Sequence, residues 1–198
     1  MILTELSAPP LAAVPVRAFA EHLRLGTGFA DDGAEDQVLE LCLRAAMAAI
    51  EARIGRALLE RSFVWKVARW RGEGSQVLPV APVIAVDSVV LVGADGAETE
   101  MASAGWSLVH DGARPRLVWR ESAVPPRIPR GGRAEIRFRA GFGDWEAVPA
   151  DLRQAVFLLA AHYHENRAES AERAGTMPFG VLVLLEAYRT LRVGGGIA

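Results

Sequence analysis

The run RAEIRFRAGFGDWEAVPADLRQAVFLLAAHYHENRAE, Arg133 to Glu169, contains the change of period that decides the fold. In its first eight residues Ala134, Ile136 and Phe138 alternate with Arg133, Glu135, Arg137 and Arg139, so the spacing predicts a strand with one apolar and one basic face. Beyond Gly141-Phe142-Gly143 the spacing becomes helical, with Leu152, Ala155, Val156, Leu159 and Tyr163 on one stripe. Pro149 suits a helix start because it has no N–H to satisfy, and Gly141 and Gly143 let the strand leave its sheet in conformations other residues avoid. The helix ends in His162 and His164. Two residues apart, they point about 200° away from each other and cannot close on one metal ion, and the spacing of a zinc-protease helix is absent. The stretch reads as scaffolding.

Upstream, residues 62–140 carry short apolar or alternating runs separated by Gly, Pro and Asp. They predict strands over Phe63 to Trp70, Val83 to Val92, Trp106 to His110, Arg116 to Trp119 and Arg133 to Ala140. Before them, Leu3 to Pro15 reads as an extended arm. Val16, Phe19, Ala20 and Leu23 form a short amphipathic helix that Gly26 stops. Asp32 and Glu35 have capping-box spacing, and Leu39, Leu43, Met47, Ile50 and Ile54 make the stripe of a second helix ended by Gly55. A last helix, capped by Thr176, carries Val181, Leu184, Leu185, Tyr188 and Leu191 and stops at Gly194-Gly195-Gly196. The expected fold is α+β and mainly α: one domain with a helical core of about four helices and a β-rich segment inserted between helices two and three. Its parts are N-terminal helices over 16–61, the insertion over 62–140, C-terminal helices over 149–192 and a flexible tail over 193–198.

With 51% hydrophobic and 23% charged residues and a net charge of -2, the 198-residue chain falls in the globular range and away from disorder. Its single cysteine, Cys42, excludes an intrachain disulfide, and among apolar helical neighbours it reads as a small buried hydrophobe. No window has the length and apolarity of a membrane span, and the N-terminal stretch lacks the basic start of a signal peptide, so the expected compartment is cytoplasmic.

Charge is segregated along the chain. Arg114, Arg116, Arg120, Arg127, Arg130, Arg133, Arg137 and Arg139 face only Glu121 and Glu135 in their stretch, whereas Asp31, Asp32, Glu35 and Asp36 crowd a helix start, where the macrodipole favours them. Three readings stay open for the arginines: phosphate contacts on a duplex, a subunit interface against the acidic helix start of another copy, or a solvated strand face. VPPRIPRGGR, Val124 to Arg133, reads as a protruding loop. His22 and His110 have no visible partner, and GTGFAD at Gly26 lacks the preceding strand that a nucleotide loop needs. No catalytic, cofactor or metal residue is identified.

Several segments together are similar to one family. VRAFAEHLRL is followed by an acidic turn, and LELCLRAAMAAIEARIGRALLERSFVWKV runs from long helix to first strand. LPVAPVIAVDSVVLVGADG comes next, and then the glycines 141 and 143, Pro149, Tyr163 and Arg167, with Pro178-Phe179-Gly180 and Tyr188 in MPFGVLVLLEAYR. In this order they resemble the head–tail connector, or adaptor, proteins of tailed bacteriophages and phage-derived gene transfer agents. The resemblance implies a virion structural subunit at the head–tail junction, made in the host bacterial cytoplasm, without enzymatic activity, cofactor or membrane partner. Its implied partners are the portal protein, identical subunits in a twelvefold ring, a tail-side stopper or tail terminator, and duplex DNA passing without sequence-specific binding. The alternatives are a tail-side completion or stopper protein and, from another class, a nucleic-acid-processing protein. Interface candidates are Arg133, Arg137 and Arg139, the acidic Asp32, Glu35 and Asp36, the loop residues Arg127 and Arg130, and Gly194, Gly195 and Gly196.

Overall fold

The computed structural model describes residues 1–24, 34–72, 74–120, 124–166 and 177–188. It divides into two compact units, Met1–Pro9 with Gly55–Asp144 and Pro10–Ile54 with Trp145–Ala198.

The first unit is built from strands β1 (Ile2–Glu5), β2 (Arg61–Val67), β3 (Ser75–Val77), β4 (Val83–Val92), β5 (Glu98–Glu100), β6 (Trp106–Val109), β7 (Arg116–Trp119) and β8 (Arg133–Ala140). They form a five-stranded sheet in the order β1-β2-β8-β4-β5 and a three-stranded sheet in the order β3-β7-β6, every pairing antiparallel. The alternating run Arg133–Ala140 is the central strand of the larger sheet. Ala134, Ile136, Phe138 and Ala140 are fully buried, with Phe138 stacked on its cross-strand partner Phe63 at 5.5 Å. Val67 and Trp65 of β2 join them, and Leu117 and Trp119 of β7 complete one continuous apolar core. Gln76 of β3, buried beside this core, is satisfied: its Oε1 accepts from the Arg71 N–H at 2.9 Å and its Nε2 donates to the Val77 carbonyl at 2.9 Å.

The second unit holds α1 (Val16–His22), α2 (Ala34–Ile54), α3 (Ala150–Glu165) and a short α4 (Phe179–Leu185). The stripe residues Leu39, Leu43, Met47, Ile50 and Ile54 are buried, as are Leu152, Ala155, Val156 and Leu159 of α3 and Val181 and Leu185 of α4. Phe157 collects Phe19 at 5.6 Å and Trp145 at 5.3 Å into an aromatic cluster. Cys42 is buried and forms no disulfide.

The mainly helical architecture expected from the stripes is not what forms. The strands make two antiparallel sheets with a core of their own, so the chain is α+β with a substantial sheet component. The physical reason is that much of this sheet has no clean period. The register of β4 shifts between Val83 and Ala85 and again between Val86 and Ser88, so Ile84 and Asp87 are extra residues that scramble its alternation. β3 and β5 have three residues each. The arm read as extended supplies β1, which pairs with β2 from Ile2↔Lys66 to Glu5↔Phe63. The expected helix stop at Gly26, the cap at Thr176 and the glycine run 194–196 lie outside the described residues.

Candidate assembly interface

On the polar face of β8 the four charged residues separate into distinct situations. Glu135, 9% exposed, accepts from Arg133 Nε at 2.7 Å and lies 3.3 Å from Lys66 Nζ of β2. Burial pushes its carboxyl up, but the hydrogen bonds and charges of Arg133 and Lys66 outweigh this and hold it below the usual carboxylate range. Arg139 bonds Glu60 at 2.9 Å and lies 3.5 Å from Asp87, one of the two bulge residues of β4. Arg137 lies between them, opposite Val64 on one side and Ser88 on the other. It is exposed and has no ion pair among the described residues. The basic face is therefore a row of internal ion pairs with one guanidinium to spare.

Of the acidic candidates, Glu35 and Asp36 stand in the first turn of α2. Asp32 lies outside the described residues, as do Arg167, Gly194, Gly195 and Gly196. Arg127 and Arg130 are exposed on a loop that is anchored to its own unit. Trp70 Nε1 donates to the Pro126 carbonyl at 2.7 Å, the Gly132 N–H to that of Pro129 at 2.9 Å, and Ile128 packs on the core.

The motif residues build structure. Gly141 has φ of 132° and donates to the Pro82 carbonyl at 3.0 Å; a Cβ there would lie 2.5 Å from the Leu59 carbonyl atoms. Its neighbours complete the crossing: the Phe142 N–H bonds the Leu58 carbonyl at 3.0 Å, and the Gly143 carbonyl accepts from Glu60 at 2.8 Å. Gly143 itself has φ of 118°. Pro149 and Pro178 are the residues before α3 and α4. Tyr188 donates its hydroxyl to Asp151 Oδ1 at 2.7 Å. Tyr163 is half-buried, which pushes its phenol above the ordinary 10.0. At the end of α3 Asn166 bonds both Nδ1 and the carbonyl of His162, at 2.9 and 2.8 Å, so this histidine is part of a helix end. Phe179 is 80% exposed, and a Cβ on Gly180 would meet nothing.

No group of three or more His, Cys, Asp or Glu side chains that could hold a metal ion occurs among the described residues, and none of their helices is long and apolar enough to cross a membrane. Sequence reasoning did not find the roles of Glu60, Asp87 and Asp151. Their partners lie far along the chain: Glu60 and Arg139 are 79 residues apart, so no local pattern marks them.

Comparison with known proteins gives the setting. No protein-family model matches the chain, and no curated protein does. Solved structures do. The neck of an empty gene transfer agent particle, computed with C6 symmetry, contains a chain 55% identical, covering 99% of both chains with a TM-score of 0.89. The neck of a native particle, computed with C12 symmetry, contains one 49% identical over 99% of both chains, TM-score 0.84, and a virion of a native particle one 54% identical over 99%, TM-score 0.86. The chain belongs to the head–tail connector family of gene transfer agents. It is a virion structural protein of the neck.

Proposed function

We propose that twelve copies of this chain form a ring adaptor that joins the capsid portal protein to the tail-side stopper or terminator and extends the channel through which duplex DNA passes. The observation that carries this reading is the likeness, at 49% identity over 99% of both chains, to a subunit of a neck computed with C12 symmetry. The work is binding. Each copy adds modest contacts to its neighbours and to the portal, and closing the ring multiplies them through avidity. A duplex must slide through such a ring, so strong phosphate binding in the channel would oppose the function.

Among the surface charges of β8, Arg137 is the residue best placed to face a neighbouring copy, because Arg133 and Arg139 already have partners inside their own subunit. The acidic start of α2, with Glu35 and Asp36, offers the opposite sign. Gly194 to Ala198 is proposed to contribute to portal attachment, so deleting it weakens the complex and leaves the fold intact; unchanged particle assembly overturns that assignment.

The experiment is to mix the purified protein with the portal protein encoded near it and determine the stoichiometry of the complex by native mass spectrometry. One copy per portal subunit supports the adaptor. Binding to a purified tail before any binding to portal supports a tail-side stopper, and DNA binding without portal binding overturns both.

A further inference from the structure

The five-stranded sheet has two unlike edges, and their geometry fits them to each other. At one edge, β1 exposes every residue, with Ile2 at 61% and Leu3 at 41%. It is held firmly from within: the Leu6 N–H bonds the Ser62 carbonyl at 2.9 Å, and Glu5 pairs with Arg61 at 3.0 Å. In an antiparallel ladder, residues that exchange hydrogen bonds with the neighbouring strand alternate with residues whose N–H and C=O point away. The Leu6 bond sets the phase, so Thr4 and Ile2 bond inward to β2, and Leu3 and Glu5 present their backbone groups outward.

The same argument applies at the other edge. The Gly93 N–H bonds the Ala97 carbonyl at 2.8 Å and the Met101 N–H bonds that of Val89 at 2.9 Å, so Thr99 bonds inward and Glu98 and Glu100 present their backbone groups outward. Four antiparallel pairings separate β1 from β5, so the two edge strands run in the same direction.

We propose that β1 of one copy adds to β5 of the next as a parallel strand, with Leu3 opposite Thr99, so that the sheets of successive copies meet edge to edge. This rests on the ring reading above. In that register the Leu3 N–H reaches the Glu98 carbonyl and the Glu100 N–H reaches the Leu3 carbonyl. The faces agree as well: Leu3 and Thr99 share the face of Trp65 and Leu91, while Ile2 and Thr4 fall beside Glu98 and Glu100 on the face of Lys66. The occupant is a second copy for two reasons. A cyclic ring needs two unlike, complementary patches on each subunit, and these edges are unlike. The glutamates select the partner: β5 against another β5 would set Glu98 and Glu100 of both copies against each other, whereas β1 offers them neutral Ile2 and Thr4.

The test is a cross-link in assembled particles. Leu3→Cys and Thr99→Cys are combined with Cys42→Ala, which removes the only native thiol. Within one copy the two positions lie four strand spacings apart, about 19 Å, far beyond disulfide reach. Mild oxidation is expected to give a ladder of dimers and higher multiples on a denaturing gel, and the combination Thr4→Cys with Thr99→Cys, on opposite faces, is expected to give none. Particles that carry the variant in their necks but yield only monomer overturn the edge pairing and leave the ring standing. A variant that folds and never enters the neck, with the wild-type chain equally absent, overturns the ring and the pairing together. As a second measurement, Leu3→Pro removes the outward N–H without touching the bonds to β2 and is expected to lower ring yield at least tenfold, with Leu3→Thr near wild type; equal yield from both overturns the pairing.

Discussion

The hydroxyl of Tyr188 bonds Asp151 Oδ1 at 2.7 Å and ties the turn after α4 to the first turn of α3. The contact joins residues 37 apart within one unit. Tyr188→Phe keeps the ring and removes the bond, so it is expected to cost about 1 kcal/mol, or a fall of roughly 2–4 °C in Tm. Thermal melts of the two proteins check this; an unchanged Tm would show that the bond adds nothing net.

Two glycines with positive φ are expected to differ sharply. Gly55, φ 68°, follows α2 and has open space around a Cβ, whereas Gly141, φ 132°, has Leu59 backbone at 2.5 Å. Gly55→Ala therefore meets only the conformational penalty, about 1 kcal/mol. Gly141→Ala adds a collision with the backbone of Leu59 and Glu60, and is expected to cost more than about 3 kcal/mol or to prevent folding. Denaturant midpoints for the two variants check the order.

Acid should weaken the larger sheet through Glu135. Its folded pKa is below the ordinary 4.5, so the ionised form stabilises the fold above that value, and the contribution is lost as pH falls through the lowered folded value. Glu135→Gln should thus be less stable than wild type at neutral pH, with the difference shrinking as the pH falls below 4.5 and through the lowered folded value. Urea unfolding across that range measures it; a difference that stays constant with pH excludes the linkage.

Reversing Arg137 should leave the subunit intact, because its side chain is exposed and none of the ion pairs on its face includes it. Stability is expected to change by less than about 0.5 kcal/mol in Arg137→Glu. Ring or portal complex formation is expected to fall, with recovery when Asp36→Arg is added. Normal complexes from the single variant exclude this pairing.

How far the chain could be read in advance depended on whether a segment's neighbours in space were also its neighbours in sequence. The strand at Arg133–Ala140 and the stripes of α2 and α3 were legible because burying one face imposes a period of two or of 3.6 on the residues themselves. The ordered family motifs, mostly turn glycines and prolines, were legible for the same local reason and pointed to the connector family.

The weight of the sheet was only partly legible: the strand at Val83–Val92 was readable, but β3 and β5 are too short to show a period, and Ile2–Glu5 carries no mark of a strand until β2 lies beside it. The division of labour on the basic face was not legible. Arg133, Arg137 and Arg139 look alike in sequence, and only tertiary structure, by bringing Glu60 and Asp87 to Arg139 while Glu135 takes Arg133, leaves Arg137 available. Periodicity is a local consequence of burial and is written into the chain, whereas the choice of a charge partner is made across the fold, by whichever strands pair.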